Sequence, residues 1–150
     1  MKMARIDFSY VNLSNSNFSH VFNKTLFESK FESSILQDSK FEKLNLTSVN
    51  FKLSDLTNSN LSSANLSNTD LSQSKLINTN FSNCDLQGTN FSYTIIRNAN
   101  FDGAKVSKLN LNGASIDSTV LTSFTDISTS IDGLNLKNVT LSTNFFAGKE

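Results

Sequence analysis

The chain has 150 residues, 13 Lys+Arg balanced by 13 Asp+Glu, and only 17% charged residues, against roughly 25% in an average domain. That balance argues against a strongly basic nucleic-acid binder and against a strongly acidic chain. Ser (25), Asn (21) and Thr (13) supply 59 residues, while Pro and Trp are absent; this composition is poor in helix formers and rich in side chains that bond nearby backbone.

The first residues, Met1 to Arg5, lead into Ile6-Asp7-Phe8 without an apolar h-region, so no secretory signal is expected. No apolar run approaches the roughly 18 residues of a membrane helix. Cys84 is the only cysteine, which leaves no internal disulfide and no thiolate cluster. A cytoplasmic location is the expectation, with a secreted effector as the alternative.

Phe8, Leu13 and Phe18 then introduce a spacing of five. The frame slips over residues 19–25, where a bulge, short loop or capping turn is expected, with Phe22 and Phe27 on nominally outward positions. From Val21 the step of five holds without exception through Leu121, for 21 positions. Asp126 breaks it, and Ile131, Leu136, Leu141 and Phe146 restore it in the same frame. At this second break, residues 122–130, a local bulge is expected to turn Asp126 outward and Ile127 inward. The last residues, Ala147 to Glu150, suggest no cap, and an open coil end favours end-to-end pairing of two chains.

The residue two before each apolar one is small from Ser54 to Ala104, Cys84 included, with larger exceptions at Leu44, Val49, Leu109, Leu134 and Val139. The residue just before it is often Asn or Asp, as at Asn60, Asn65, Asp70, Asn80 and Asp85. A helix cannot keep every fifth side chain on one face, and a flat strand flips faces at an odd step. A chain that turns a corner every five residues can. Four corners close a square coil of 20 residues, and coils stack ~4.8 Å apart through strand-like hydrogen bonds. Asn and Asp suit the corners because they bond their own backbone. In the regular series Phe falls at 31, 41, 51, 81, 91 and 101, so it is confined to two opposite walls and aliphatics fill the other two.

The tandem Ser59-Asn60-Leu61-Ser62-Ser63, Ala64-Asn65-Leu66-Ser67-Asn68 and Ala99-Asn100-Phe101-Asp102-Gly103 resembles the pentapeptide-repeat protein family. The resemblance implies an all-β fold, a right-handed quadrilateral parallel β-helix, expected here as one domain over 1–150 with about seven coils.

Candidate chemistry is sparse. His20 is the only histidine, with no patterned partners. Cys84 reads as a packed small residue. Asp55, Asp70 and Asp85 recur at steps of 15 and so fall on successive walls. The basic residues Lys24, Lys30, Lys40, Lys43 and Lys52 are interleaved with Glu28, Glu32, Asp38 and Glu42, which reads as a solvated face. Repeated Asn-x-Ser/Thr tripeptides follow mechanically from the repeat. No catalytic residue, cofactor or metal ligand is expected. The reading is a non-catalytic rod that binds another protein, with Leu53 and Ile77 as apolar exceptions on its surface and Tyr93 and Arg97 as the expected contact. The family offers two alternatives: a DNA-mimicking protein that binds type II topoisomerase (gyrase) and protects against quinolones, or a repeat segment of a larger secreted bacterial effector. Mimicry of DNA needs an acidic rod, and this chain is neutral. Direct nucleic-acid or membrane binding is not expected.

Overall fold

The computed structural model describes residues 5–122, 124, 129–143 and 145, with the backbone alone at Phe22. The chain winds as a right-handed, four-sided parallel β-helix. Each side is a ladder of parallel bridges between residues twenty apart. One runs Thr25–Asn45–Asn65–Asp85–Lys105, and the next Lys30–Asn50–Asp70–Asn90–Asn110–Ser130. The third, Ile35–Asp55–Lys75, continues into strands β1 (Lys75–Ile77), β2 (Ile95–Arg97), β3 (Ser115–Asp117) and β5 (Asn135–Lys137), a parallel sheet in the order β1-β2-β3-β5. The fourth, Lys40–Asn60–Asn80–Asn100–Val120, ends in the pair β4 (Val120–Leu121) and β6 (Thr140–Leu141).

The fivefold column is the core. From Leu26 to Leu121 every member except Val106 is at most 2% exposed. The Phe confinement holds in space. Rings stack along one side (Phe31 on Phe51, centroids 5.0 Å) and along the opposite one (Phe81 on Phe101, 5.0 Å), and meet edge-on across the interior (Phe31 with Phe41, 5.7 Å). Leu61 and Leu71 interrupt the two ladders in the middle of the rod.

Each corner is a tight turn. The N–H three residues on donates to the carbonyl of the interior residue, as Ser59 to Leu56 (3.0 Å) and Thr69 to Leu66 (3.0 Å). The second residue after the interior one has positive φ, as at Asn58, Ser63 and Asn68, the signature of a type II turn. The Asn or Asp before the interior residue lies on the ladder, and its Oδ1 accepts the N–H two residues on: Ser62 to Asn60 (3.0 Å), Ser67 to Asn65 (2.9 Å), Ser72 to Asp70 (2.9 Å). The small inward residue spends its hydroxyl on a carbonyl, as Ser54 to Phe51 (2.6 Å) or Thr69 to Leu46 (2.8 Å), which removes the cost of burying it. Leu44, Val49 and Leu109 fill such positions fully buried, and Leu134 and Val139 partly.

At the first junction the bridges Asp7–Lys30, Asn12–Ile35 and Asn17–Lys40 are 23 residues apart. A 3-10 turn over Phe22–Lys24, with Asn23 and Lys24 at positive φ, absorbs the three extra residues at one corner. Phe8 thereby stacks on Phe31 (4.9 Å) and Phe18 on Phe41 (4.7 Å), so the earlier frame joins the same walls. Phe27 is half-buried. At the second junction the offset is unchanged: Ser130 pairs with Asn110 and β5 with β3 at twenty residues. Phe124 is buried against the edge of Phe101 (5.2 Å). Asp126, Ile127 and the chain end at 146–150 lie outside the described residues.

The interior column tolerates no charge. Leu66→Ala is expected to cost about 2–5 kcal/mol in chemical denaturation. Leu66→Asp, an unpaired buried charge, is expected to abolish the cooperative transition, while Ser48→Asp on the exposed corner changes stability by no more than about 0.5 kcal/mol.

Candidate binding face

Outward side chains are short and polar over most of the rod, and the exceptions gather on one face. Among the described residues seven large apolar side chains are exposed: Tyr10, Val11, Ile35, Leu53, Tyr93, Ile95 and Val120. All but Val120 lie on the face built by the Ile35–Asp55–Lys75 ladder and its β1-β2-β3-β5 continuation, or on the corner leading into it. Ile35 and Ile95 occupy the ladder itself. Tyr10, Leu53 and Tyr93 occupy the left-handed corner position, with φ of 62°, 61° and 57°. Asn, Asp, Ser or Gly fill most of these corners elsewhere, since a left-handed residue with a bulky side chain is strained.

Tyr93 and Arg97, the expected contact pair, flank Ile95 on this face. Tyr93 stands at the corner before β2 and Arg97 at the strand's far end. They are separate: Arg97 Nε pairs with Asp117 Oδ2 on the next coil (3.6 Å). The Tyr93 ring instead lies over Gly113, one coil on, where a Cβ would sit 2.5 Å from the ring carbons. Gly113 itself has φ 66°, so it serves both the turn and the ring above it. Leu53 and Ile77 belong to the same face, Ile77 half-buried at the end of β1. The signal that joins all of these is recurrence at twenty residues. Tyr10 was hidden from that reckoning by the three-residue insertion.

The face also carries charge. Asp55 and Lys75 are ladder neighbours, Nζ to Oδ2 3.4 Å, and Gln37 Nε2 donates to the same oxygen (2.9 Å). Burial pushes the Asp55 carboxyl up, but hydrogen bonds from Thr57 and Gln37, helped by Lys75, outweigh it and hold it below the usual carboxylate value.

Other candidates fall away from this face. Cys84 is fully buried and its thiol donates to the Leu61 carbonyl (3.0 Å). Burial pushes its pKa up to about 12. His20 lies at the rim of a cleft of about 450 Å³ between Lys24, Glu42 and Lys43. Its Nδ1 is 3.1 Å from Ser19 Oγ. Lys24 donates to the Ser19 carbonyl, and Asn60 Nδ2 donates to Glu42 Oε1 (2.8 Å). Among the described residues no group of three or more His, Cys, Asp or Glu could hold a metal ion, and no helix is long and apolar enough to cross a membrane. Asp55, Asp70 and Asp85 stand on three different ladders.

The family model "Pentapeptide repeats (8 copies)" matches residues 26–62, 54–92 and 64–103, more than half of the chain. The chain belongs to the pentapeptide repeat family. No curated protein matches it. Among solved structures it is similar to a pentapeptide repeat protein from the Arabidopsis thaliana thylakoid lumen (27% identity, TM-score 0.52), over 68% of this chain and 66% of that one, just under two thirds of its length. It is also similar to a pentapeptide repeat protein from Nostoc PCC 7120 (27% identity, TM-score 0.49; 71% and 84% covered). A third likeness is to QnrB1, a plasmid-mediated fluoroquinolone resistance protein, at 16% identity and TM-score 0.35 (89% and 90% covered).

Two solution properties follow. At pH 8 a thiol with pKa about 12 is thiolate to roughly one part in ten thousand; Cys84 is therefore expected to stay unlabelled by a maleimide in the folded protein and to react promptly in denaturant. Asp55 contributes stability that is present above the ordinary carboxyl pKa of about 3.9 and lost as pH falls through its lower folded value. Asp55→Asn is expected to flatten the fall in melting temperature between pH 5 and pH 2, read by circular dichroism.

Proposed function

We propose that this protein is a non-catalytic, rigid β-helical rod that binds another protein through the face of Leu53, Tyr93 and Ile95, with Arg97 at its margin. One observation carries the reading. Among the described residues, the large apolar ones at left-handed corners are Tyr10, Leu53 and Tyr93, and all three are on this one corner column. A corner needs only a residue that accepts positive φ, and Asn or Gly does so at no cost, so side chains of this size work against local stability. Strain held at an exposed apolar site, repeated at coil intervals, is the mark of a surface kept for contact. Aromatic side chains with an Arg beside them suit such contacts. A stiff parallel ladder behind them fixes their spacing, as in other solenoids. The DNA-mimic alternative needs an acidic face, and among the described residues Asp55, Asp70 and Asp85 stand on three different ladders.

Replacing the strained residues tests this. Leu53→Asn with Tyr93→Asn is expected to raise the melting temperature by roughly 2–4 °C for about 1 kcal/mol of relieved strain. The same variant is expected to lose the partners that the native rod retains in a pull-down. A variant that is less stable and binds as before contradicts the proposal.

A further inference from the structure

We infer that the occupant of this face is a second copy of the chain, packed antiparallel about a twofold axis that passes between the coils of Asp55 and Lys75. The inference rests on the reading of this face as a contact surface and names its partner.

An antiparallel twofold axis lying in the face and perpendicular to the rod sets each column of outward residues against the same column of the other copy, in reverse order. Along the ladder the coils read Asn12, Ile35, Asp55, Lys75, Ile95, Ser115, with each neighbour bridged to the next. Reversal about the midpoint between Asp55 and Lys75 places Ile35 of one copy opposite Ile95 of the other, and Asp55 opposite Lys75. One apolar and one ionic contact form at once, each made twice. The interface is isologous, as a closed dimer requires. The corner column follows the same rule. Tyr10 of the second copy comes opposite Gly113, whose Cβ position the Tyr93 ring already fills, so the two aromatic rings meet there, while Leu53 comes opposite Gln73 and Tyr93 opposite Ser33.

Charge selects this register. Moving the axis onto the coil of Asp55 sets Asp55 against Asp55, and moving it onto the coil of Lys75 sets Lys75 against Lys75; like charges directly opposed are unfavourable. The exposed apolar stripe runs from the coil of Tyr10 to that of Tyr93, four coil spacings or about 19 Å. That is short for a protein interface, so a reversible dimer is expected. Pairing two exposed sheet faces also removes the apolar patch from water.

Sedimentation equilibrium of the native chain is expected to show a monomer–dimer equilibrium. Lys75→Glu is expected to weaken it at least tenfold, and Lys75→Glu combined with Asp55→Lys to restore it. The register is read with single cysteines, because Cys84 is buried. A short bismaleimide is expected to join an Ile35→Cys chain to an Ile95→Cys chain in a mixture, giving a covalent heterodimer. Neither variant alone should cross-link efficiently, since its two copies of the same residue lie three coils, about 14 Å, apart along the axis. A monomer at millimolar concentration overturns the inference. So does efficient cross-linking of Ile35→Cys to itself, which signals another register, or a dimer indifferent to Lys75→Glu, which signals pairing elsewhere, such as through the coil ends. A monomeric rod whose Leu53→Asn, Tyr93→Asn variant still loses a pulled-down partner leaves the binding face standing and removes only the second copy from it.

Discussion

The parallel backbone ladder, with its offset of twenty residues, is the constraint from which everything else in this molecule follows. A coil can hydrogen-bond to the next only if it returns to the same place, and it returns only by turning four corners. Each corner requires a residue at positive φ and a neighbour that can close the turn. Each straight stretch between corners offers one interior position and one small one. The unusual composition is the consequence. Asn and Asp sit before the interior residue because their Oδ1 can reach the second N–H onward, as Asn60 does to Ser62, and Ser and Asn fill the corners because they accept the left-handed backbone.

A core of this kind has no centre. Each interior side chain touches its own coil and the two beside it, so the structure is held by nearest-neighbour contacts along a line. Such a line forgives an insertion placed at a corner and forgives none on a ladder. The three extra residues around Phe22–Lys24 show the first case: the loop swells, and Phe8 and Phe18 still stack on Phe31 and Phe41. The aromatic walls add a second requirement. Stacked rings on two opposite sides and aliphatics on the other two keep the cross-section constant, and Leu61 and Leu71 narrow both Phe walls at the same level, dividing the aromatic core into two zones.

Much of this was legible in the sequence because the physics is periodic. A buried column with a period of five, Phe on alternate steps, and Cys84 among the small inward residues all follow from spacing alone. The surface is harder to read, since outward positions are not required to repeat. Leu53 and Ile77 stand out in the sequence as apolar exceptions and Tyr93 with Arg97 as a pair, but their common face emerges only when the chain is folded at twenty residues. Tyr10 could not be aligned with Leu53 and Tyr93 without knowing that the first coil is 23 residues long, and only the bridges Asp7–Lys30 and Asn12–Ile35 give that number. The pairing of Asp55 with Lys75, and of Tyr93 with Gly113, likewise joins residues that are distant in the chain and share no local motif.

The contrast between interior and corner also explains how such a scaffold can carry a function at all. Interior positions are chosen by packing and reveal nothing beyond the fold. Corner positions answer to one local demand, positive φ, and the residues that meet it best are small and polar. A corner occupied by Asn is therefore explained by the backbone, and a corner occupied by Tyr or Leu is not. Gly113 sharpens the point. It gives the turn its φ of 66° and leaves a flat place on which the Tyr93 ring rests, so part of the cost of holding Tyr93 in a left-handed corner is offset by contact with the neighbouring coil. The remainder is borne by the stability of the rod as a whole, and it falls on the face where Ile35, Leu53 and Ile95 also stand exposed.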